Sequence, residues 1–244
     1  MLFRSGGTSV ASDFGFIAHI KNGPDVPVQF SNLTNGLVQI PIDPNAEVYV
    51  TEQAHAGYTS SLSAGCGTAG NPIKVNASSV ASCTITNSDI APQLTIIKRT
   101  NPLGSTETFN FTGTNVSPSS FTLTGAKGGD QKAYLNLTAG PVYQIREVIG
   151  SDSVWQLMKV NCTGGKKAGT PAYENGKLVG IDIQMIIGDD MKCTFWNELP
   201  RMTGGGSITT EAGDFATTDK GVKTTAATKV THGFELYCGL NAKK

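Results

Sequence analysis

The 244-residue sequence predicts an all-β chain of tandem sandwich domains, and three observations predict it. Apolar residues come in short alternating runs separated by clusters of Gly, Pro, Asn and Ser, the pattern of half-buried strands joined by turns. Only 16% of the residues are charged, and the uncharged remainder is rich in Gly, Ser, Thr and Asn. The first ninety residues also repeat the plan of the next hundred, as modular chains do. The formal net charge is zero, so nothing draws the chain to nucleic acid or to an anionic membrane. No run approaches the roughly 18 apolar residues of a membrane span, and Met1-Leu2-Phe3-Arg4-Ser5 is too short for a signal peptide. Both ends therefore read as incomplete.

The repeat shows first in the aromatic residues. Phe14 and Phe16 of Asp-Phe-Gly-Phe recur as Phe109 and Phe111 of Thr-Phe-Asn-Phe, and Glu52 recurs as Glu147 at the same offset. Cys83-Thr84-Ile85-Thr86-Asn87 recurs as Cys193-Thr194-Phe195-Trp196-Asn197. The expected boundaries are a first sandwich over residues 1–90, a second over 91–199 and a partial β-module over 200–244. The first copy lacks one piece. In the second copy Lys98 precedes Phe109 by eleven residues, whereas the same step back from Phe14 reaches Phe3-Arg4 with no alternating strand before it. Two readings stay open: a chain cut within the first sandwich, preferred because an open strand slot invites aggregation, or a strand supplied by another chain.

The linker Ser88-Asp89-Ile90-Ala91-Pro92-Gln93 is too short for independent swinging. It leads into Leu94-Thr95-Ile96-Ile97-Lys98, whose period of two places Lys98 on the same side as Leu94 and Ile96. By the same parity Tyr143, Ile145 and Glu147 share a face, as do Cys193, Phe195 and Asn197. One amine, one carboxyl and one carboxamide thus point into one core. A buried Lys98–Glu147 ion pair, with Asn197 satisfying leftover hydrogen bonds, accounts for the trio. So does covalent chemistry, because burial lowers an amine pKa and raises a carboxyl pKa: Glu147 polarises the Asn197 carboxamide, Lys98 attacks it and ammonia leaves.

Within the second copy, turns are expected at residues 115–120 and 125–130 around a strand at Phe121-Thr122-Leu123-Thr124. Gly164-Gly165-Lys166-Lys167 reads as a solvated loop, since no phosphate-loop order follows, and Asp189-Asp190 as a turn. Cys66 and Cys83 bracket one turn-rich segment, and Cys162 and Cys193 the corresponding later one. Each pair closes as a disulfide or stays as buried thiols; closed, they would contribute roughly 3 and 3–4 kcal/mol. Cys238 is left without a partner. With three histidines and no CxxC spacing, neither a metal nor a cofactor is expected.

These residues sit in a frame that resembles a prealbumin-like domain, the type found in Gram-positive pilin shafts and in the B-type repeats of collagen adhesins, related to SpaA-type domains. The resemblance covers Leu94 to Leu199 and is carried by the first-strand lysine of Leu-Thr-Ile-Ile-Lys, the glutamate of Tyr-Gln-Ile-Arg-Glu and the last-strand asparagine of Cys-Thr-Phe-Trp-Asn. It implies a Lys98–Asn197 isopeptide bond assisted by Glu147, with Glu52 and Asn87 as first-copy counterparts that have lost their lysine. The pair Thr-Gly-Gly-Gly-Ser-Ile and Thr-His-Gly-Phe-Glu-Leu-Tyr-Cys resembles a small module that follows such repeats in secreted bacterial surface proteins.

The expected function is structural: a stalk segment of a secreted or cell-surface bacterial protein, adhesin- or pilin-like, outside the cytoplasm as disulfides require. The alternative is a module that presents sandwich loops to a polysaccharide or host matrix protein. It would need an aromatic platform, and Trp155 reads as core, like its counterpart Tyr58, while Trp196 stands alone on an outer face. An enzyme is not expected, because the chain lacks both G-x-S-x-G and HExxH motifs.

Overall fold

The structure, a computed structural model, describes residues 5–30, 37–77, 79–151, 153–210 and 228–237. Its architecture is all-β, with two single-turn 3-10 helices, Ala11–Asp13 and Ala64–Cys66, among the described residues. The strands are β1 (Phe16–Ile20), β2 (Val26–Val28), β3 (Glu47–Glu52), β4 (Tyr58–Leu62), β5 (Ile73–Lys74), β6 (Ile85–Asp89), β7 (Gln93–Asn101), β8 (Ser105–Thr114) and β9 (Ser120–Gly125). They continue as β10 (Asp130–Tyr134), β11 (Val142–Val148), β12 (Gln156–Thr163), β13 (Thr170–Glu174), β14 (Lys177–Gln184), β15 (Asp190–Glu198), β16 (Arg201–Thr210) and β17 (Thr228–Tyr237).

Residues 93–198 make two sheets, one ordered β10-β7-β15-β12 and the other β13-β14-β11-β8-β9. Strands β7 and β15, first and last in this part of the chain, lie side by side and parallel, with Cys193 opposite Ile96 and Asn197 opposite Thr100. Every second residue of both strands turns into the gap between the sheets: Leu94, Ile96, Lys98 and Thr100 from β7, and Met191, Cys193, Phe195 and Asn197 from β15. Phe109, Phe111, Tyr143, Ile145, Ile181 and Ile183 fill the gap from the facing sheet. The packing of two alternating faces about 10 Å apart makes this a sandwich.

The earlier residues reproduce part of that plan. The sheet β2-β1-β3-β5 corresponds to β9-β8-β11-β14, and the pair β4-β6 to β12-β15. The register agrees as well: Phe16 lies opposite Glu52 in β1 and β3, as Phe111 lies opposite Glu147 in β8 and β11. Nothing among the described residues corresponds to β7 or β10, so β6 pairs with β4 on one edge only. The first strand begins at Phe16 and not at Phe14, because the Phe14 N–H closes the preceding turn on the Ala11 carbonyl. Phe14 is still buried.

Both cysteine pairs form disulfides, Cys66–Cys83 and Cys162–Cys193. The second joins directly opposed residues of β12 and β15. The linker is tied down by the main chain: Ile90 N–H donates to Gly57, Gly188 N–H to Ile90, and Leu137 N–H to Pro92. Asp189 is a turn residue, buried, with its carboxylate accepting from the Ile186 and Lys166 N–H groups. Beyond Leu199, β16 and β17 form an antiparallel hairpin with Gly205 opposite Gly233. Phe3, Arg4 and Cys238, singled out in the sequence, lie outside the described residues. No helix among the described residues is long and apolar enough to cross a membrane.

Candidate functional site

The site is assembled from three strands in two sheets. Lys98 and Asn197 belong to the parallel pair β7 and β15; Lys98 sits opposite Phe195, so the two side chains are diagonal neighbours on one face. Glu147 comes from β11 in the facing sheet and reaches across the core. All three are sealed from water, Lys98 and Asn197 at 0% exposure and Glu147 at 3%.

The Glu147 carboxylate holds both other groups at once. Lys98 Nζ donates to Oε2 at 3.2 Å, and Asn197 Nδ2 donates to Oε1. The amine also lies over the Phe109 ring, 4.1 Å from its centroid, so an aromatic face covers the side away from the carboxylate. Asn197 Oδ1 is buried with no hydrogen-bond partner. That orphan acceptor is informative. A half-turn of the carboxamide would bring Oδ1 to Glu147 Oε1, and the contact would be favourable only if Glu147 carries a proton to donate.

Desolvation pushes Glu147 toward that protonated form. Burial lowers the Lys98 pKa to about 8, against the opposing pull of the Glu147 charge. Burial raises the Glu147 pKa, and here the Lys98 charge and the two hydrogen bonds work the other way. Desolvation thus narrows the gap between the ion pair and the neutral pair of amine and carboxylic acid. The two forms hold the same number of protons and differ only by transfer along the Lys98–Glu147 hydrogen bond. A cleft of ≈ 280 Å³ beside the site is lined by Glu107, Phe109, Asn110, Glu147, Val148 and Trp155.

Residues 94–199 match the family model of the prealbumin-like fold domain. This segment has the prealbumin-like fold. No curated sequence is significantly similar to the chain. Solved structures similar to it include the major pilin T3.2 of Streptococcus pyogenes, with 11% identity, 77% of this chain and 90% of that chain covered, and a TM-score of 0.36. A second major pilin from Streptococcus pyogenes shows 15% identity, coverage of 76% and 90%, and a TM-score of 0.33. A bacterial adhesin from Mobiluncus mulieris, described as containing intramolecular disulfide, isopeptide and ester bond cross-links, shows 11% identity, coverage of 77% and 85%, and a TM-score of 0.33.

The first-copy counterparts are also brought together. Asn87 Nδ2 donates to Glu52 Oε1 at 2.6 Å, while Glu52 Oε2 is buried and unpartnered. Lys21, the lysine nearest in sequence to β1, pairs with Glu47 at the surface instead. Trp155 is buried in the prealbumin-like domain, edge-on to Phe109, as Tyr58 is to Phe14. Trp196 is not alone, as parity suggested: the Arg99 guanidinium from the adjacent strand lies over its ring, 5.7 Å from the centroid. Sequence reasoning missed Phe109 as the cover of the amine, although its place in the repeat marked it.

Proposed function

We propose that the prealbumin-like domain is a covalently closed, load-bearing module of a secreted or cell-surface protein, closed by a Lys98–Asn197 amide bond that forms once, after folding. The observation that carries this reading is the single buried carboxylate, Glu147, hydrogen-bonded at the same time to the amine and to the carboxamide. Proton transfer from Lys98 to Glu147 frees the amine lone pair. The neutral amine attacks Asn197 Cγ while protonated Glu147 donates to the carboxamide oxygen. The new C–N bond forms, one amine proton passes by way of Glu147 to the departing nitrogen, and ammonia leaves. Water is kept from the reacting carbon by burial, so amide formation is not undone by hydrolysis.

The topology explains what the bond would do. Because β7 and β15 are parallel neighbours, tension applied at Gln93 and Glu198 shears their shared ladder. A bond from Lys98 to Asn197 carries that tension from strand to strand and leaves the intervening residues unloaded. Such a module is a stalk element in an extracellular setting where disulfides persist, and we take its bounds as 91–199, between a first sandwich at 1–90 and a partial β-module at 200–244. It turns over no substrate, since the amide bond forms once per chain.

The test is the intact mass of the reduced, denatured chain. The expected mass is that of the sequence less one ammonia, with the loss absent in Glu147→Ala and in Lys98→Met. A full-sequence mass in the folded wild type would leave only the ion pair.

A further inference from the structure

We propose that Thr51, His19 and Asp25 form an acyl-transfer site on the outer face of the first sandwich, in which the Thr51 hydroxyl takes the acyl group of a small, activated carboxylic ester. Three elements converge there. β1 supplies His19, the turn between β1 and β2 supplies Asp25, and β3 supplies Thr51. In the β1–β3 ladder Ile17 lies opposite Thr51 and His19 opposite Tyr49, so His19 and Thr51 are diagonal neighbours on one face. Parity turns that face away from the core, because Phe16, Ala18 and Val48 are the buried residues of the two strands.

The hydrogen bonds run in the order that nucleophilic catalysis needs. His19 Nδ1 lies 2.9 Å from Asp25 Oδ1, and His19 Nε2 lies 2.9 Å from Thr51 Oγ1. With the ring proton on Nδ1 and held by the carboxylate, Nε2 is left as an acceptor and the Thr51 hydroxyl donates to it. Nucleophile, general base and orienting carboxylate are thus in place, an arrangement recognised by geometry and roles and not by order in the chain. Tyr49 stacks on the imidazole, with centroids 4.4 Å apart and planes 16° from parallel, and holds the ring in that orientation. Cross-strand hydrogen bonding on a solvated face would explain the polar contacts alone. It does not explain the cleft beside them, a volume of ≈ 390 Å³ lined by His19, Lys21, Asp25, Tyr49, Ala69 and Pro72. The cleft is of the size that holds a small molecule. Its wall of Tyr49, Ala69 and Pro72 suits an apolar acyl chain, and Lys21, held by Glu47, supplies a cation for the carbonyl oxygen as it turns negative.

The step balances without a further reactant. Thr51 Oγ bonds to the acyl carbon while its proton passes to His19 Nε2, and the Asp25 carboxylate stabilises the imidazolium that results. The bond from the acyl carbon to the leaving oxygen then breaks, His19 returns the proton to that oxygen, and the alcohol departs from a threonine ester. Nothing in this chemistry draws on Lys98, Glu147 or Asn197.

The test treats the full folded chain with a phosphonofluoridate, from which an activated hydroxyl displaces fluoride to leave a stable phosphonyl ester. The expected result is one phosphonyl group on Thr51, located by peptide mass mapping. The labelling rate should fall by about a hundredfold or more in His19→Gln, where the general base is gone, and Thr51→Ser should keep the label while Thr51→Val loses it. Release of p-nitrophenolate from p-nitrophenyl butyrate should fall in His19→Gln and in Thr51→Val, with circular dichroism spectra that match the wild type. Three results overturn the proposal: no label on Thr51, an equal rate in His19→Gln, or an equal rate in wild type unfolded by urea. Each would leave a hydrogen-bonded patch of sheet surface and no activated hydroxyl.

Discussion

Replacing Lys98 with Met removes the proposed cross-link with little other disturbance. Met retains most of the aliphatic shaft, and Glu147, whose pKa burial already raises, can turn neutral without its partner. Breaking a buried ion pair from one side costs about 3–5 kcal/mol when the other charge is stranded, a cost that protonation of Glu147 avoids. What remains is the effect of the bond on the unfolded chain. Tying together the ends of a loop of roughly 100 residues stabilises the folded state by about 4.7 kcal/mol in the chain-entropy model. The Cys162–Cys193 disulfide already shortcuts 31 of those residues, which lowers the figure by about 0.3 kcal/mol. At about 4–8 °C per kcal/mol for a domain of this size, the melting transition of the prealbumin-like domain should fall by roughly 15–35 °C in differential scanning calorimetry under non-reducing conditions. A drop of only a few degrees, with the wild type showing its full sequence mass, would refute the reasoning.

Further outcomes follow from the same geometry. In Asn197→Ala no bond can form and Lys98 stays titratable with a pKa lowered to about 8; the folded state then binds fewer protons than the unfolded one, so stability rises with pH from about 8 toward 10.5. The raised Glu147 pKa acts in the opposite sense, contributing stability below the ordinary carboxyl value of 4.5 that is lost as pH climbs through the folded value. Denaturant titrations across pH should therefore show a trough between the two. Glu147→Gln leaves the buried Lys98 without a charge partner and should destabilise by about 3–5 kcal/mol where the bond is absent, whereas Glu52→Gln should be neutral or stabilising by up to about 1 kcal/mol, since a neutral carboxamide replaces a carboxylate that has one oxygen unpaired; chemical denaturation of each variant compares them. Opening the Cys162–Cys193 disulfide by double Ala substitution should cost about 3–4 kcal/mol, measured the same way.

The sequence by itself determined which side chains face inward. Strand side chains alternate with period two, so the apolar neighbours Leu94, Ile96, Tyr143, Ile145, Cys193 and Phe195 set the inward parity of Lys98, Glu147 and Asn197 before any pairing is known. The repeat was equally local, visible in Phe14 and Phe109, Glu52 and Glu147, and it survives as an identical strand register. Only the tertiary structure decided which strands are neighbours. That β7 lies parallel to β15, and that Glu147 reaches them from the opposite sheet, depends on connections of many residues that no local pattern encodes. The same holds for Arg99 over Trp196, which required knowing that their strands touch. The unpaired oxygens on Glu52 and Asn197 are likewise tertiary facts, because whether a buried polar atom finds a partner depends on the whole surrounding shell.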